Sequence, residues 1–561
     1  MPAAERPRRR PRRREQPDPD RLRETAREHF GWDELRPEQL QAMEHLMAGH
    51  DVLAVLPTGA GKSAIYQVPA LLLGGPTVIV SPLISLQRDQ VGAINESGAP
   101  DAVAINSAKG KGATEAAWAS VRSGDAEYLF LSPEQLAKED VLADVAELEP
   151  SLFVVDEAHC VSGWGHDFRP DYLRLATVIE RLGHPRVLAL TATAAPPIRA
   201  DIIQRLGLRD PHEVVASFDR PNIAFEVVRF TSDRDKRQTV IERVEAATKP
   251  GLVYTSTRKE AEQYAGELQG RGVAAAVYHA GMKAADRRRV HRKWLDDRLE
   301  VVVATSAFGM GIDKADVRFV FHASIPDSPD SYYQEIGRGG RDGEPAAAVL
   351  FYREEDLGVQ SFLTTAAPQP DALHEVAEAL RAEDEPLPPS QLKDKVDVSP
   401  QRRTRAVNLL EQAGAVSTDG EGRLQYADED PPAEVAVDEA VEVGEAHQRF
   451  LKSRVSMMRG YAETNGCRRQ YLLGYFGEDL AEPCGNCDTC REGTSTVHRQ
   501  PGSRDTRFRP NTAVEHEQLG RGVVLRIEED RLTVLFEDAG YCTLSLQTVV
   551  DRDLLQPVTR A

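Results

Sequence analysis

The chain has 561 residues, 41% of them hydrophobic and 28% charged, with a formal net charge of −20. A chain of this length is too long for one hydrophobic core, so we expect several domains. The negative net charge argues against a surface that binds nucleic acid all over, but it allows local basic patches. No apolar run approaches the roughly 18 residues of a membrane span and no secretory signal follows the start, so we expect a cytoplasmic protein with no membrane partner.

Residues 1–20 form a predicted disordered basic tail, because residues 5–15 are mostly arginine and contain no apolar side chain to bury. Weak phosphate contact and a solubilising role explain such a tail equally well. Two predicted helices follow over 21–50, with Arg36 and Gln39 between them. A glutamine amide can pair with the edge of an adenine and an arginine can stack on its ring, so these two side chains are candidates for binding ATP.

A phosphate-binding loop is predicted where a short apolar run, 51–55, meets a helical one that begins at residue 64. The stretch between them ends in Gly-Lys-Ser, although Leu56 stands where the general pattern begins with glycine. Glycines let the backbone turn and aim N–H groups inward, Lys62 can reach the β- and γ-phosphates, and Ser63 can ligate Mg²⁺. The candidate ATP-binding residues are Pro57, Thr58, Gly59, Ala60, Gly61, Lys62 and Ser63.

Two carboxylates, Asp156 and Glu157, directly follow the strand-like run 151–155. Strand-like and helical runs alternate from 51 to 210, which predicts a parallel sheet that binds ligands at its carboxyl edge. We expect Asp156 to hold Mg²⁺ and Glu157 to orient and deprotonate the attacking water. An Asp-Glu pair alone is usually a solvated surface, but together with the phosphate loop it predicts hydrolysis.

A second alternation of strands and helices runs from 250 to 350 without a phosphate loop of its own. Near its end Arg338 and Arg341 lie three apart on a glycine-rich segment and can project towards a γ-phosphate, as arginine fingers do. One unit with the phosphate loop and one with the arginines would place ATP in the cleft between them, where hydrolysis can open and close the cleft. The pattern predicts a molecular motor.

Aromatic and charged side chains are concentrated just after Glu157, at Trp164, His166, Phe168 and Arg169. Flat rings can stack on bases at roughly 1–3 kcal/mol each, and DNA bound there would be well placed to move the water-activating carboxylate. A core aromatic cluster is the alternative, but the glycine-rich, charged surroundings favour a loop.

Several stretches resemble the superfamily 2 helicases, namely 57–63, 81–86, 156–159, 189–194 and 334–343. Three others resemble the RecQ DNA helicases specifically: 35–39 is similar to their adenine-reading motif, 164–170 to their aromatic-rich loop, and 307–314 to their motif V, which makes Asp313 a further candidate at the ATP site. The resemblance covers about 20–370 and 445–492.

This resemblance implies ATP-driven 3′-to-5′ unwinding of single-strand-tailed or branched DNA in repair and recombination, at the nucleoid, by two RecA-like domains over 21–210 and 211–370. An RNA helicase, or a translocase that anneals or remodels strands, is an alternative of the same class. A non-catalytic recruitment factor is an alternative of a different class, and the complete set of Lys62, Glu157, Arg338 and Arg341 argues against it.

Residues 371–427 depart from the family pattern and read as a winged-helix insert, with a helix, a turn, a second helix and a hairpin. Arg402, Arg403 and Arg405 are expected to face outward on the second helix and to bind DNA; protein docking or a purely structural role are the alternatives. Residues 428–445 contain many acids and no basic side chain, so we expect an acidic linker.

Cys467, Cys484, Cys487 and Cys490 are spaced C-x16-C-x2-C-x2-C. Four thiolates make a closed tetrahedral zinc site, which supports folding rather than catalysis. Two disulfides or four ordinary thiols are the alternatives. The surrounding residues, 446–492, resemble the RecQ zinc-binding region.

After a predicted linker at 493–510, short alternating strands over 511–561 predict a small SH3/Tudor-like β-barrel. It resembles the barrel that closes UvrD-type helicases, which implies a protein partner such as RNA polymerase or a repair factor. The expected fold is therefore α/β, with two tandem RecA-like parallel-sheet domains, a winged-helix insert, a helical zinc-binding region with four cysteine ligands and a C-terminal barrel, served by ATP, Mg²⁺ and structural Zn²⁺.

Overall fold

A computed structural model describes residues 18–106, 110–162, 169–309, 314–364, 367–383, 385–419, 422–427, 432–495, 507–510, 512–528 and 531–558. The candidates Trp164, His166, Phe168 and Asp313, and nearly all of the predicted basic tail, lie outside these residues. A search of the described helices finds none that is long and apolar enough to cross a membrane.

A parallel sheet of seven strands forms the first domain. Its strands are β1 Val52–Val55, β2 Thr77–Val80, β3 Asp101–Ile105, β4 Ala126–Leu131, β5 Leu152–Val155, β6 Arg186–Thr191 and β7 His212–Val215. They lie in the order β3-β4-β2-β5-β6-β1-β7, and every neighbouring pair is parallel. Strand β7 pairs with β1, so the domain extends past its predicted end at residue 210.

Helices cover both faces of this sheet, which is why its central strands are continuous apolar runs. They are α1 Pro19–Phe30, α2 Pro37–Ala48, α3 Ala64–Ala70, α4 Ile84–Asn95, α5 Lys111–Ser123, α6 Pro133–Leu136, α7 Glu139–Glu147, α8 Leu175–Arg181 and α9 Pro196–Leu206, with 3₁₀ turns at Ala158–Val161 and Pro170–Arg174. Alternate residues of β2 enter different cores, Val78 and Val80 on one face and Ile79 on the other.

The second domain repeats this architecture with six parallel strands. They are β8 Ile223–Arg229, β9 Gly251–Tyr254, β10 Ala275–Tyr278, β11 Val301–Ala304, β12 Phe319–His322 and β13 Ala346–Tyr352, in the order β10-β11-β9-β12-β13-β8. Its helices are α10 Asp233–Ala246, α11 Arg258–Gly270, α12 Ala284–Leu295, α13 Pro329–Ile336 and α14 Asp356–Thr364. The prediction of two parallel-sheet domains is confirmed.

The insert has the predicted helix-turn-helix and hairpin. Its elements are α15 Pro370–Arg381, α16 Pro389–Leu392, α17 Pro400–Gln412, β14 Val416–Thr418 and β15 Leu424–Tyr426. They surround a core of their own that includes Leu373, Leu392 and Leu410. The insert also touches the first domain, where Arg174 Nη2 lies 3.2 Å from Glu411 Oε1 of α17.

The predicted acidic linker over 428–445 is wrong from residue 433 onward, because one helix, α18 Ala433–Glu463, runs through it. Ala436, Val437 and Ala440 lie on one side of this helix, buried in the core of the insert, while the acidic side chains lie on the exposed side. The helix therefore joins the insert to the zinc region, which continues with α19 Arg468–Tyr475 and α20 Asp488–Arg491.

An antiparallel sheet forms the C-terminal unit, with strands β16 Ala513–His516, β17 Gly520–Glu528, β18 Arg531–Phe536, β19 Gly540–Ser545 and β20 Leu555–Pro557 and one helix, α21 Leu546–Asp551. The order is β19-β18-β17-β16-β20, and in the described part of this unit the outer strands β19 and β20 do not pair. The unit packs on α18: the Tyr541 amide donates to Ser453 Oγ at 2.9 Å, and the Tyr541 ring stacks near Phe450 and Tyr475.

Candidate active site and metal centre

Two glycines shape the loop that follows β1. Gly59 has φ +81° and Gly61 has φ +71°, values at which a side chain strains the backbone. A Cβ added at Gly61 would lie 2.7 Å from Gln39 Nε2. The loop can keep this conformation at residue 61 only with glycine, as the phosphate-loop prediction requires.

Gln39 is hydrogen-bonded to this loop. Its Nε2 donates to the carbonyls of Ala60 and Gly61 at 3.0 and 2.9 Å, and its Oε1 accepts from the Arg36 amide at 2.8 Å. The predicted ATP-binding glutamine thus lies at the loop, with its amide protons directed at loop carbonyls. To read an adenine with those protons, Gln39 would have to exchange these bonds.

Lys62 and the two carboxylates form one electrostatic group. Lys62 Nζ donates to the Leu56 carbonyl at 3.3 Å; burial lowers the pKa of Lys62, Glu157 and Asp156 oppose that shift, and the Arg341 guanidinium adds to it. Burial raises the pKa of Asp156, and Lys62 opposes that shift in turn. The charged forms of Lys62 and Asp156 therefore stabilise each other in a site that is largely removed from water.

Glu157 is held in a strained conformation at the end of β5. Its φ is +50°, its side chain is buried, and its amide donates to Asp156 Oδ1 at 3.0 Å. Non-glycine residues in this region of φ cost about 1–3 kcal/mol and cluster at functional sites. His159, which the sequence did not single out as a site residue, lies 3.4 Å from Glu157 Oε2 and 2.9 Å from Thr191 Oγ1 at the end of β6.

The two candidate arginines occupy different environments. A Cβ at Gly59 would lie 3.2 Å from both Cγ and Cδ of Arg341, so this side chain from the second domain lies against the phosphate loop of the first. Arg338 is 3% exposed and lies beside Tyr254. Burial raises the pKa of Tyr254, and the Arg338 charge opposes part of that rise. Arg341 is therefore positioned at the inter-domain cleft, and Arg338 inside the second domain.

The segment after the aromatic residues is bonded to the carboxylate site. Arg169 Nη1 donates to the Pro82 carbonyl at 3.1 Å, and the Tyr172 hydroxyl donates to the Asp156 carbonyl at 3.1 Å. A movement of this segment would therefore reach Asp156 through one hydrogen bond.

The three insert arginines differ from the expectation that all face outward. Arg402 is exposed, whereas Arg403 and Arg405 are half-buried. Arg402 Nε donates to Gln369 Oε1, and burial lowers the pKa of the Arg405 guanidinium. A cavity of about 640 Å³ between α15 and α17 is lined by residues that include Arg402 and Arg405. The reason for the difference is that α17 packs against both α15 and α18.

The four predicted cysteines come together. Their sulfur atoms all lie within 4.8 Å of one another, and the Cys484–Cys490 and Cys467–Cys487 pairs are each 4.0 Å apart. Zinc–sulfur bonds of about 2.3 Å in a tetrahedron place sulfur atoms about 3.8 Å apart, so this cluster fits a structural Zn²⁺. No two of them are joined by a disulfide bond in the structure, which argues against the disulfide alternative.

The zinc region is anchored to the start of the second domain. Arg468 pairs with Asp488 at 3.0 Å, and Asp488 Oδ2 accepts from the Val227 amide of β8 at 2.9 Å. Asn486 Nδ2 donates to the Pro221 carbonyl at 3.3 Å. The residues beside the cysteines thus hold the segment that joins the two parallel sheets and the strand β8 that follows it.

Family models and known proteins match this arrangement. The matching models are DEAD/DEAH box helicase over 36–200, helicase conserved C-terminal domain over 235–343 and RecQ zinc-binding over 433–491. The probable ATP-dependent DNA helicase RecS of Bacillus subtilis (strain 168) is 35% identical over 471 residues, which cover 84% of this chain and 91% of the relative. The ATP-dependent DNA helicase RecQ of Pasteurella multocida (strain Pm70) is 35% identical over 461 residues, which cover 82% of this chain and 61% of the relative.

One solved structure shows a likeness of fold alone. The crystal structure of the DUF1998 helicase MrfA bound to DNA superposes with a TM-score of 0.51 at 17% identity, covering 74% of this chain and 63% of that one.

Proposed function

Because the chain belongs to the RecQ family of ATP-dependent DNA helicases, we propose that it hydrolyses ATP between its two RecA-like domains and thereby moves 3′-to-5′ along single-stranded DNA and unwinds duplexes. The main support for this proposal is the contact of Arg341 with the phosphate loop. It brings a cation from one domain to the phosphates held by the other, so closing and opening of the cleft is coupled to hydrolysis.

The site residues have separate roles in ATP hydrolysis. Backbone N–H groups of the loop and the Lys62 ammonium bind the phosphates, and Glu157 orients the attacking water and accepts its proton. Arg341 stabilises charge that develops on the γ-phosphate. The oxygen donors of Ser63 and Asp156 fit Mg²⁺, which would neutralise phosphate charge there.

The adenine contacts are assigned to Arg36 and Gln39, and Asp313 completes the ATP site. Their support is the resemblance of 35–39 and 307–314 to family motifs and the position of Gln39 on the loop. Arg338 acts as a positioning residue within the second domain rather than as a direct phosphate ligand.

DNA contact is assigned to the loop at Trp164, His166 and Phe168, with Arg169. The Tyr172–Asp156 hydrogen bond supports this assignment, because it connects the 3₁₀ turn that follows the loop to the backbone carbonyl of Asp156, the residue assigned to Mg²⁺. Arg402, the exposed arginine of the insert, provides a second contact, with Arg403 and Arg405 behind it. With DNA as its substrate, we assign the protein to the nucleoid, in repair and recombination.

The C-terminal sheet is assigned to binding a protein partner, RNA polymerase or a repair factor. It packs on α18 at Tyr541, and the opposite face of its sheet is buried in the core of the unit itself. A partner would therefore bind at the outer strands β19 and β20 or at the turns.

The test is the ATPase rate of the wild type and of Trp164→Ala with single-stranded DNA or with RNA of the same length. We expect strong stimulation of the wild type by DNA, and a stimulation at least tenfold weaker in Trp164→Ala with the basal rate retained. Stimulation by RNA alone would favour the RNA helicase, and an undiminished DNA stimulation in Trp164→Ala would return the loop to core packing.

A further inference from the structure

The backbone turn over residues 337–341, which follows α13, carries Arg341 to the cleft between the two domains. Its first residue lies against the phosphate loop, because a Cβ added at Gly337 would lie 3.6 Å from Cβ of Thr58. The Arg341 side chain is bonded to the same residue, with its Nε donating to the Gly337 carbonyl at 3.5 Å. The place of the Arg341 guanidinium therefore depends on where the backbone of this turn lies.

Arg220 binds three carbonyls of the turn from outside. It belongs to the joining segment, residues 216–222, which connects β7 of the first sheet to β8 of the second. Its Nη1 donates to the Gly337 carbonyl at 3.3 Å, and its Nη2 donates to those of Gly339 and Gly340 at 2.9 and 3.1 Å. A guanidinium presents five N–H donors in a planar fork, so this one side chain fixes three peptide units of the turn.

Two further hydrogen-bonding groups tie the joining segment to the same part of the second domain. Asn222 Nδ2 donates to the carbonyls of Gly340 and Glu344 at 2.8 and 2.9 Å. The Tyr333 hydroxyl of α13 donates to the Phe218 carbonyl at 2.6 Å. The turn is therefore held to the joining segment through its backbone, on the side away from the phosphate loop.

The main chain of the joining segment is in turn held by the zinc region. Arg469 is buried, and its Nη2 donates to the carbonyls of Arg220 and Ile223 at 3.2 and 2.9 Å. The Phe218 amide donates to Glu478 Oε2 at 2.7 Å. The backbone of Arg220 is thus fixed on one side, while its side chain reaches the turn on the other.

We propose that Arg220 is a positioning residue that fixes the 337–341 turn and thereby sets Arg341 at the γ-phosphate. The inference rests on the proposed function, since it requires Arg341 to act on the phosphates of ATP. A displacement of about 1 Å in a catalytic group can cost about 10²-fold in rate. The three bonds of Arg220 end on the backbone that carries Arg341, so its effect on hydrolysis passes through Arg341.

The test is a double-mutant cycle on the DNA-stimulated ATPase of the full chain, with the wild type, Arg220→Gln, Arg341→Ala and the double variant. We expect Arg220→Gln alone to lower kcat by about 10²-fold and to change the KM for ATP little. In the Arg341→Ala background the same substitution should lower kcat hardly further, because the turn then carries no guanidinium to position. A purely structural role would give the same factor in both backgrounds.

Lys249→Gln is the matched control. Lys249 is a half-buried cation of the second domain, and its Nζ donates to three carbonyls around the end of α10, those of Val244, Glu245 and Ala247, at 2.6, 2.7 and 2.7 Å. Its loss should lower the melting temperature but leave kcat at the wild-type value. If Arg220→Gln does not fold, Arg220→Lys takes its place in the cycle, since a lysine keeps the charge and lacks the planar fork.

Three results would overturn this inference and leave the proposed function standing. They are an unchanged kcat in the Arg220 variant, an equal loss of kcat in both backgrounds, and a raised KM for ATP at unchanged kcat, which would assign Arg220 to nucleotide binding. A wild type without DNA-stimulated hydrolysis, or Arg341→Ala with the wild-type kcat, overturns the proposed function and this inference with it.

Discussion

Arg341 of the second domain packs against Gly59 of the first, with its Cγ and Cδ 3.2 Å from the position that a Cβ at Gly59 would occupy. Arg338, three residues earlier, is buried beside Tyr254 instead. The two arginines of one motif therefore lie in different places, one against the phosphate loop and one inside its own domain.

Arg341→Ala should lower kcat of the DNA-stimulated ATPase by about 10³-fold or more, as removal of an arginine finger does, with the KM for ATP and the melting temperature changed little. Arg338→Ala should instead destabilise the fold, by about 2 kcal/mol, because it removes a buried charged hydrogen-bond donor. Steady-state kinetics and thermal melts of both variants separate the two roles. Equal losses of kcat at unchanged melting temperature would contradict the distinction.

The Arg174–Glu411 pair joins the first domain to the insert, and both side chains are half-buried. Arg174→Glu and Glu411→Arg should each destabilise the protein, and the double swap should recover about 0.5–1 kcal/mol. The Arg181–Glu139 pair, which lies within the first domain at 2.6 Å, is the matched control for a swap that does not cross domains. If the Arg174–Glu411 cycle shows no recovery in chemical unfolding, the insert does not dock through this pair.

Cys487→Ser should remove about one equivalent of bound zinc and lower the melting temperature by several degrees, because a closed thiolate site contributes to folding. Cys542→Ser is the control, since Cys542 lies in the C-terminal sheet away from the cluster. Metal content by mass spectrometry and thermal melts measure both effects. Zinc retained in full by Cys487→Ser, with unchanged melting, would refute the site.

Three histidines, His45, His50 and His212, meet at the end of α2, with the His45 and His212 rings stacked 3.8 Å apart. Burial, and then His212 and His50, lower the pKa of His45 below 6.5. The unfolded chain therefore binds a proton at His45 more readily than the folded protein does. The free energy of unfolding is accordingly unaffected by His45 above pH 6.5 and decreases as the pH falls below 6.5. His45→Gln should show a smaller drop in melting temperature between pH 7.5 and 5.5 than the wild type. The control is His374→Gln, whose half-buried ring lies 3.5 Å from Glu378 on α15. A drop equal to that of the wild type or of this control would contradict the expectation.

The phosphate loop and the cysteine cluster could be predicted because their residue spacing is characteristic, and the carboxylate pair because it follows a strand of the domain that carries the loop. The side chains that contact these sites could not be predicted. The contact of Gln39 with the loop and that of His159 with Thr191 depend on how separate segments pack, which spacing along the chain does not record. The sequence likewise could not distinguish Arg338 from Arg341, because both follow the same motif.

The acidic residues at the start of α18 led to the wrong prediction of a linker. The exposed acids between residues 434 and 445 indicated a linker, although Ala433, Ala436, Val437 and Ala440 recur at helical spacing on the opposite side. Strands β7 and β8 were missed for a related reason: their partly exposed residues give a weaker apolar signal than the central strands.

The most direct test of the motor is strand separation on a duplex with a 3′ single-stranded tail, beside the same duplex with a 5′ tail, for the wild type and for Lys62→Ala. We predict that the wild type separates the 3′-tailed duplex only when ATP and Mg²⁺ are present, and that Lys62→Ala binds the tail but neither hydrolyses ATP nor separates strands. Separation of the 5′-tailed duplex alone, or ATP hydrolysis by Lys62→Ala near the wild-type rate, would contradict the account.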